Sequence, residues 1–99
     1  MNGTVELHVT HDVLSIKGQI NFDNVVQATE KGLKLMKRLE RVKVDLQGLK
    51  QSDSSGLALL VEWTRAAAKR DKKIVFLNIP KFVQDLARVS GIDTLLPSE

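Results

Sequence analysis

The chain contains no cysteine among its 99 residues. Disulfides and thiolate metal sites are therefore excluded, and cysteine usage carries no sign of secretion. Aromatics are scarce: three Phe, one Trp and no Tyr. A nucleic-acid surface wants a basic stripe with stacking aromatics, so that class of partner is not expected. The longest apolar run, Leu57 to Val61, is far too short to span a bilayer, so no membrane insertion is expected. Met1 to Glu6 has no basic region followed by an apolar stretch. No signal peptide is read there, and a cytoplasmic location is the expectation.

Catalytic signatures are missing too. The only imidazoles are His8 and His11, and a metal site needs more ligands than that pair supplies. No Gly-x-Ser-x-Gly elbow is present. Neither a glycine-rich phosphate loop with a following Lys nor a paired-glycine dinucleotide fingerprint occurs. The expectation is a protein that is not an enzyme, with no catalytic residues, no metal and no cofactor.

Hydrophobic content of 42% and charged content of 27% suit one globular domain over 1–99. The net charge is +3. Basic residues are scattered except in Lys69-Arg70-Asp71-Lys72-Lys73, which reads as a solvated helix end and turn, where cations suit the helix dipole.

Hydropathy patterning predicts the elements. Val5, Leu7 and Val9 alternate with polar residues as a strand does, His11-Asp12 offers a turn, and Val13 to Lys17 reads as a second strand ended by Gly18. A helix is predicted from about Asp23 to Leu39, capped by Asn21 or Asp23, with Val25, Val26, Thr29, Leu33 and Met36 at helical spacing. Gly32 weakens it slightly. Val42, Val44 and Leu46 form a third strand. The continuous run Ile74 to Leu77 suits a strand buried on both faces. Pro80 opens a last helix with Phe82, Val83, Leu86 and Val89 inside and Gly91 as its cap. Ile92 to Leu96 is a short final element, stopped by Pro97. Strand–helix alternation after an opening hairpin predicts an α/β fold: a mostly parallel four-stranded sheet with helices packed against it.

The most informative stretch is Asp53-Ser54-Ser55-Gly56-Leu57. Asp and Ser are good N-caps, so a polar loop meets the start of an apolar helix there. Two hydroxyls then sit at the positive end of a helix dipole, a geometry that suits a phosphoserine, a partner's docking site or a plain cap. The helix stripe is read as Leu57, Leu60, Val61, Thr64 and Ala68, with Glu62, Arg65 and Lys69 opposite. At about 100° per residue, Leu59, Trp63 and Ala66 then form a second apolar strip. Either the helix is buried on two sides, or Leu59 and Trp63 are exposed anchors for a partner.

Element order and this motif resemble the STAS domain family, known from sulphate-transporter tails and anti-sigma-factor antagonists. The resemblance covers nearly the whole chain. It rests on Val42-Lys43-Val44-Asp45-Leu46, Asp53-Ser54-Ser55-Gly56-Leu57, Ile74 to Leu77 and the turn Val89-Ser90-Gly91-Ile92. Gly18-Gln19-Ile20 stands where the family often has Gly-Glu-Leu or Gly-Asp-Leu. Within the family, Gly56-Leu57-Ala58-Leu59-Leu60 and the stop at Leu95-Leu96-Pro97 resemble the MlaB-type STAS subunits of Mla phospholipid-transport ABC systems.

That likeness implies a subunit at the inner membrane that binds an MlaF-like ATPase and, through it, the permease. It implies contacts through Asp53, Ser54, Ser55 and Gly56, with Ser54 where such subunits commonly have Thr. The alternative resemblance, to anti-sigma-factor antagonists, implies an anti-sigma kinase as partner and phosphorylation of Ser54.

Overall fold

The computed structural model describes residues 4–50 and 52–98. Met1, Asn2 and Gly3, where part of the leader reading falls, lie outside the described residues. The elements follow in the order β1 (Val5–Thr10), β2 (Val13–Gly18), α1 (Val25–Met36), β3 (Arg41–Leu49), α2 (Ser54–Lys69), β4 (Lys73–Leu77) and α3 (Lys81–Val89), with a closing 3-10 turn at Asp93–Leu95. One sheet runs in the order β1-β2-β3-β4. The β1–β2 pair is antiparallel and the other two pairs are parallel, so the sheet is mixed.

The opening hairpin pairs Thr10 with Val13 across His11 and Asp12. Both turn residues have positive φ, 51° and 66°, as a two-residue turn matched to strand twist requires. Gly18 has φ 103°, and a Cβ there would run into the Thr4 carbonyl, so the strand can end only on glycine.

Alternation in the strands builds a one-sided core. Leu7, Leu14, Ile16, Val42, Val44 and Leu46 are buried on the face that α1 and α2 cover, while Glu6, His8, Lys17, Lys43 and Gln47 are exposed. Helix α3 packs against α2. Strand β4 departs from the expectation of two buried faces. It is an edge strand with Ile74 and Phe76 buried and Val75 and Leu77 only half-buried. A short apolar run looks the same in either setting. Part of its outer edge is covered by the tail, where the Phe76 N–H donates to the Pro97 carbonyl at 2.9 Å.

Both long helices are rolled relative to the sequence reading. In α1 the buried residues are Ala28, Gly32 and Met36, while Val26 is 64% exposed. In α2 they include Leu57, Leu59, Leu60, Trp63 and Ala67, while Ala68 is exposed. The inner face of α2 thus lies about a quarter-turn toward Leu59 and Trp63 from the predicted stripe. Leu59 (1% exposed) and Trp63 (0%) are core residues, so the exposed apolar strip suggested by the sequence does not exist. The Trp63 Nε1–H donates to the Thr29 carbonyl at 3.1 Å, and the indole lies on Gly32.

The helix ends match their chemistry. Helix α1 is shorter than predicted. Asn24 is its N-cap, without a side-chain capping bond, and the Asn21 side chain instead accepts from the Asp23 and Asn24 N–H groups at 2.9 and 3.0 Å. At its other end, the Lys72 ammonium donates to the Met36 and Lys37 carbonyls at 3.0 and 3.1 Å. Pro80 is the N-cap of α3 rather than its first residue. Gly91 (φ 74°) closes that helix, with Gly91 N–H on the Arg88 carbonyl and Ile92 N–H on the Ala87 carbonyl. Val89, read as inward, is the last residue of α3 and is 88% exposed.

A Cβ at Gly32 would overlap the Trp63 ring, with Cε2 at 2.5 Å, Nε1 at 2.8 Å and Cζ2 nearer still. Alanine gains about 1 kcal/mol of helix propensity over glycine. Forcing atoms into a packed core costs about 1–3 kcal/mol, and a Trp with no exposed surface cannot shift aside. Gly32→Ala is therefore expected to lower the urea midpoint. An unchanged or raised midpoint would mean that the α1–α2 contact is looser than described.

Candidate functional site

The loop from β3 to α2 is held by two serines and one aspartate, each with its own job. Ser52 is buried, 9% exposed. Its Oγ accepts from the Ile20 N–H at 2.9 Å and donates to the Lys50 carbonyl at 2.9 Å. It thereby ties the β3–α2 loop to the β2–α1 loop. Lys50 N–H also donates to the Gly18 carbonyl at 2.7 Å, so the two loops form one surface at this end of the sheet.

Asp53 is the N-cap of α2, and its carboxylate accepts the Ser55 N–H at 2.9 Å. The Ser55 hydroxyl turns back to the same carboxylate oxygen and is buried, 5% exposed. Gly56 follows where space is short: a Cβ would stand 3.1 Å from the Ser52 Cβ and 3.7 Å from the Ile20 Cβ. The glycine lets the first turn of α2 settle onto the loop that Ser52 pins.

Ser54 is different. It is the first residue of α2 and it is exposed. Of the two hydroxyls singled out in the sequence, only this one faces solvent. Ala58, one turn along, is exposed as well. On the neighbouring β2–α1 loop, Phe22 is 73% exposed.

The six predicted contact residues therefore separate. Asp53, Ser54, Ser55 and Gly56 come together at the start of α2, whereas Leu59 and Trp63 point into the core. Ser52 and Phe22 were not singled out from the sequence. Ser52 precedes the motif, and its partner Ile20 is 32 residues away, so no local pattern marks it. Phe22 is an apolar residue outside both predicted stripes, which is the signal that marks a surface position.

The two histidines remain in the first hairpin. His8 lies on the open face of the sheet beside Glu6, 3.5 Å from its carboxylate, and His11 is in the turn. Among the described residues no helix is long and apolar enough to cross a membrane.

A mixed four-stranded sheet with helices packed on it, and a capped helix start offering one outward hydroxyl, define a small α/β domain. Residues 4–97 match the family model described as "Mlab, STAS domain". The chain belongs to the STAS domain family. No curated protein matches the sequence. Solved structures give the same fold. The unphosphorylated anti-sigma factor antagonist SpoIIAA is 20% identical with a TM-score of 0.71, covering 97% of this chain and 88% of that one. An anti-sigma factor antagonist from Mycobacterium paratuberculosis is 15% identical with a TM-score of 0.71, over 98% and 85% of the two chains. SLC26A9 is 15% identical with a TM-score of 0.67, over 97% of this chain and 21% of that much longer one. At such identities the likeness shows the fold alone.

The division of labour gives a stability test. Ser52→Ala leaves the buried Ile20 N–H without its acceptor, a loss of about 1–3 kcal/mol. Asp53→Ala removes a cap, about 0.5–2 kcal/mol. Ser54→Ala is expected to stay within about 0.5 kcal/mol of the parent, as exposed substitutions do. Denaturant titrations of the three variants check the order. A Ser54 variant as unstable as the Ser52 variant would show that Ser54 is structural.

Proposed function

We propose that this chain is the non-catalytic STAS subunit of an Mla-type ABC phospholipid transporter, docking on the transporter's ATPase through the N-terminus of α2. The observation that carries the reading is the exposed Ser54 beside Ser52, Asp53 and Ser55, whose side chains are engaged in holding the loop and the helix start. The description of the matching family model supports the transporter assignment. Ser54, Ala58 and the exposed Phe22 on the adjoining loop form the docking face. Leu59 and Trp63 support it from beneath by fixing the helix. Such a subunit favours assembly and activity of the ATPase and lies at the inner membrane through the complex. The transporter maintains outer-membrane lipid asymmetry. ATP turnover belongs to the partner, because this chain carries no nucleotide-binding motif.

A second reading has its own support. Solved relatives in fold are named anti-sigma factor antagonists, and SpoIIAA is known in both unphosphorylated and phosphorylated forms. Under that reading an anti-sigma kinase phosphorylates Ser54. Phosphate adds a charge of about −1.5 to −2 at neutral pH. At a helix N-terminus that charge is tolerated by the dipole. It would act on the partner by repulsion, reinforced by the Asp53 carboxylate, while leaving the fold intact.

Co-expression with the ATPase of a Mla-type system tests the first reading. Ser54→Arg is expected to abolish co-purification without changing the melting temperature, because Ser54 is exposed. Ser54→Ala is expected to weaken it less. Undiminished binding by the Arg variant would refute the proposed face.

A further inference from the structure

The charge of this chain is unevenly placed. Lys34, Lys37 and Arg38 end α1, and Arg41 and Lys43 open β3 beside them. Lys69, Arg70 and Lys72 end α2, and Lys73 opens β4. All lie at the end of the sheet opposite the Ser54 loop, since β3 and β4 run parallel and α2 returns from one end to the other. They are nine of the chain's 15 cations, and the acids interspersed with them in these segments and in the adjoining first turn are Asp12, Glu40 and Asp71 among the described residues. The ion pairs among the described residues, His8–Glu6, Lys81–Asp85 and Arg88–Asp85, all fall elsewhere.

This end also carries a groove of about 480 Å³ between the last turns of α1 and α2. Leu33, Met36, Ala66 and Ala67 give it an apolar floor, and Lys34, Lys37, Lys69 and Arg70 stand on its rim. Among the described residues no acidic side chain lines it. Its volume is in the range of small-molecule sites. A second depression adjoins the groove through Lys72, and a third adjoins the second through Arg41 and Lys43.

We propose that this basic end is a contact surface for an anionic phospholipid bilayer, with the groove receiving the apolar part of a lipid beneath its headgroup. The chemistry favours lipid over other anions. Lysines outnumber arginines in the cluster, and a Lys ammonium is a mobile point charge suited to a fluid array of headgroups, whereas fixed carboxylates are better met by Arg forks. Clusters of this size attract anionic leaflets over roughly a Debye length. Nucleic acid fits poorly, because among the described residues no Phe, Tyr or Trp lines the groove or the two depressions that continue it, and His11 is the one ring there that could stack on a base. The apolar floor adds a contact that a plain polyanion would not use. Because the surface is at the far end from Ser54, it can be occupied while α2 is docked, and the inference stands under either reading of that site.

Co-sedimentation with extruded vesicles tests it, using phosphatidylcholine alone and phosphatidylcholine mixed with phosphatidylglycerol. Binding is expected only to the anionic vesicles, and is expected to fall as salt rises from about 0.05 to about 0.5 M. The exposed triple variant Lys37→Glu/Lys69→Glu/Arg70→Glu is expected to bind at least about tenfold more weakly. The milder Lys37→Gln/Lys69→Gln/Arg70→Gln should fall between, with circular dichroism verifying the fold of both. Lys81→Glu, at the opposite end, should bind as the parent does. Absence of binding, binding without phosphatidylglycerol, or full binding by the Glu variant would overturn the proposal. So would displacement from vesicles by duplex DNA at equal phosphate concentration, which would identify a general polyanion surface.

Discussion

The contact on which the rest of the structure depends is Trp63 lying on Gly32. The indole has no exposed surface, and its N–H is satisfied by the Thr29 carbonyl. A buried Trp is worth several kcal/mol, roughly 3–5 when truncated to alanine, against about 1 kcal/mol for an ordinary hydrogen bond. The packing of the ring therefore decides the roll of α2, and the hydrogen bond selects its orientation. Once α2 is rolled so that Leu59, Leu60, Trp63 and Ala67 face inward, Ala58, Glu62 and Arg65 must face out. Ser54 lies on that outer side at the helix start. A core contact two turns away thus determines which hydroxyl the domain presents.

The presentation is completed by polar bonds made by Ser52, Asp53 and Ser55. Ser52 joins the β2–α1 and β3–α2 loops, Asp53 receives the Ser55 backbone, and the Ser55 hydroxyl returns to Asp53. A preformed surface loses little conformational entropy on binding, which favours affinity without a large interface. Both proposed uses of the site need this. A docking face must keep its shape when free, and a phosphorylated one must change charge without unravelling the helix.

Much of this was legible in the sequence, and the parts that were not share a cause. The strands, the His11-Asp12 turn, the Gly18 and Gly91 stops and a polar cap before Gly56 are local, and each is found where the pattern put it, although Val9 of the β1 alternation is exposed and the cap offered by Asp or Ser alike is taken by Asp53. The faces of the helices are not local. Leu57 to Val61 is apolar at every position, so the helical period fits more than one stripe. The choice is made by where a large ring finds room. That room is at Gly32, which by propensity alone reads as a defect in α1. Ser52 was invisible for a similar reason, since its acceptor role exists only once Ile20 is brought across from another loop. Val89 and β4 show the converse, where apolar character at an element's end or at a sheet edge does not entail burial.

We propose the outward Ser54 as a docking position on the ATPase of a lipid transporter. Affinity purification from native cells, with mass spectrometry of the partners and of Ser54, tests it most directly. A co-purifying ABC ATPase and permease are expected, with Ser54 unmodified. An anti-sigma kinase as the partner, or phosphate on Ser54, would contradict it and move the same surface to the antagonist class.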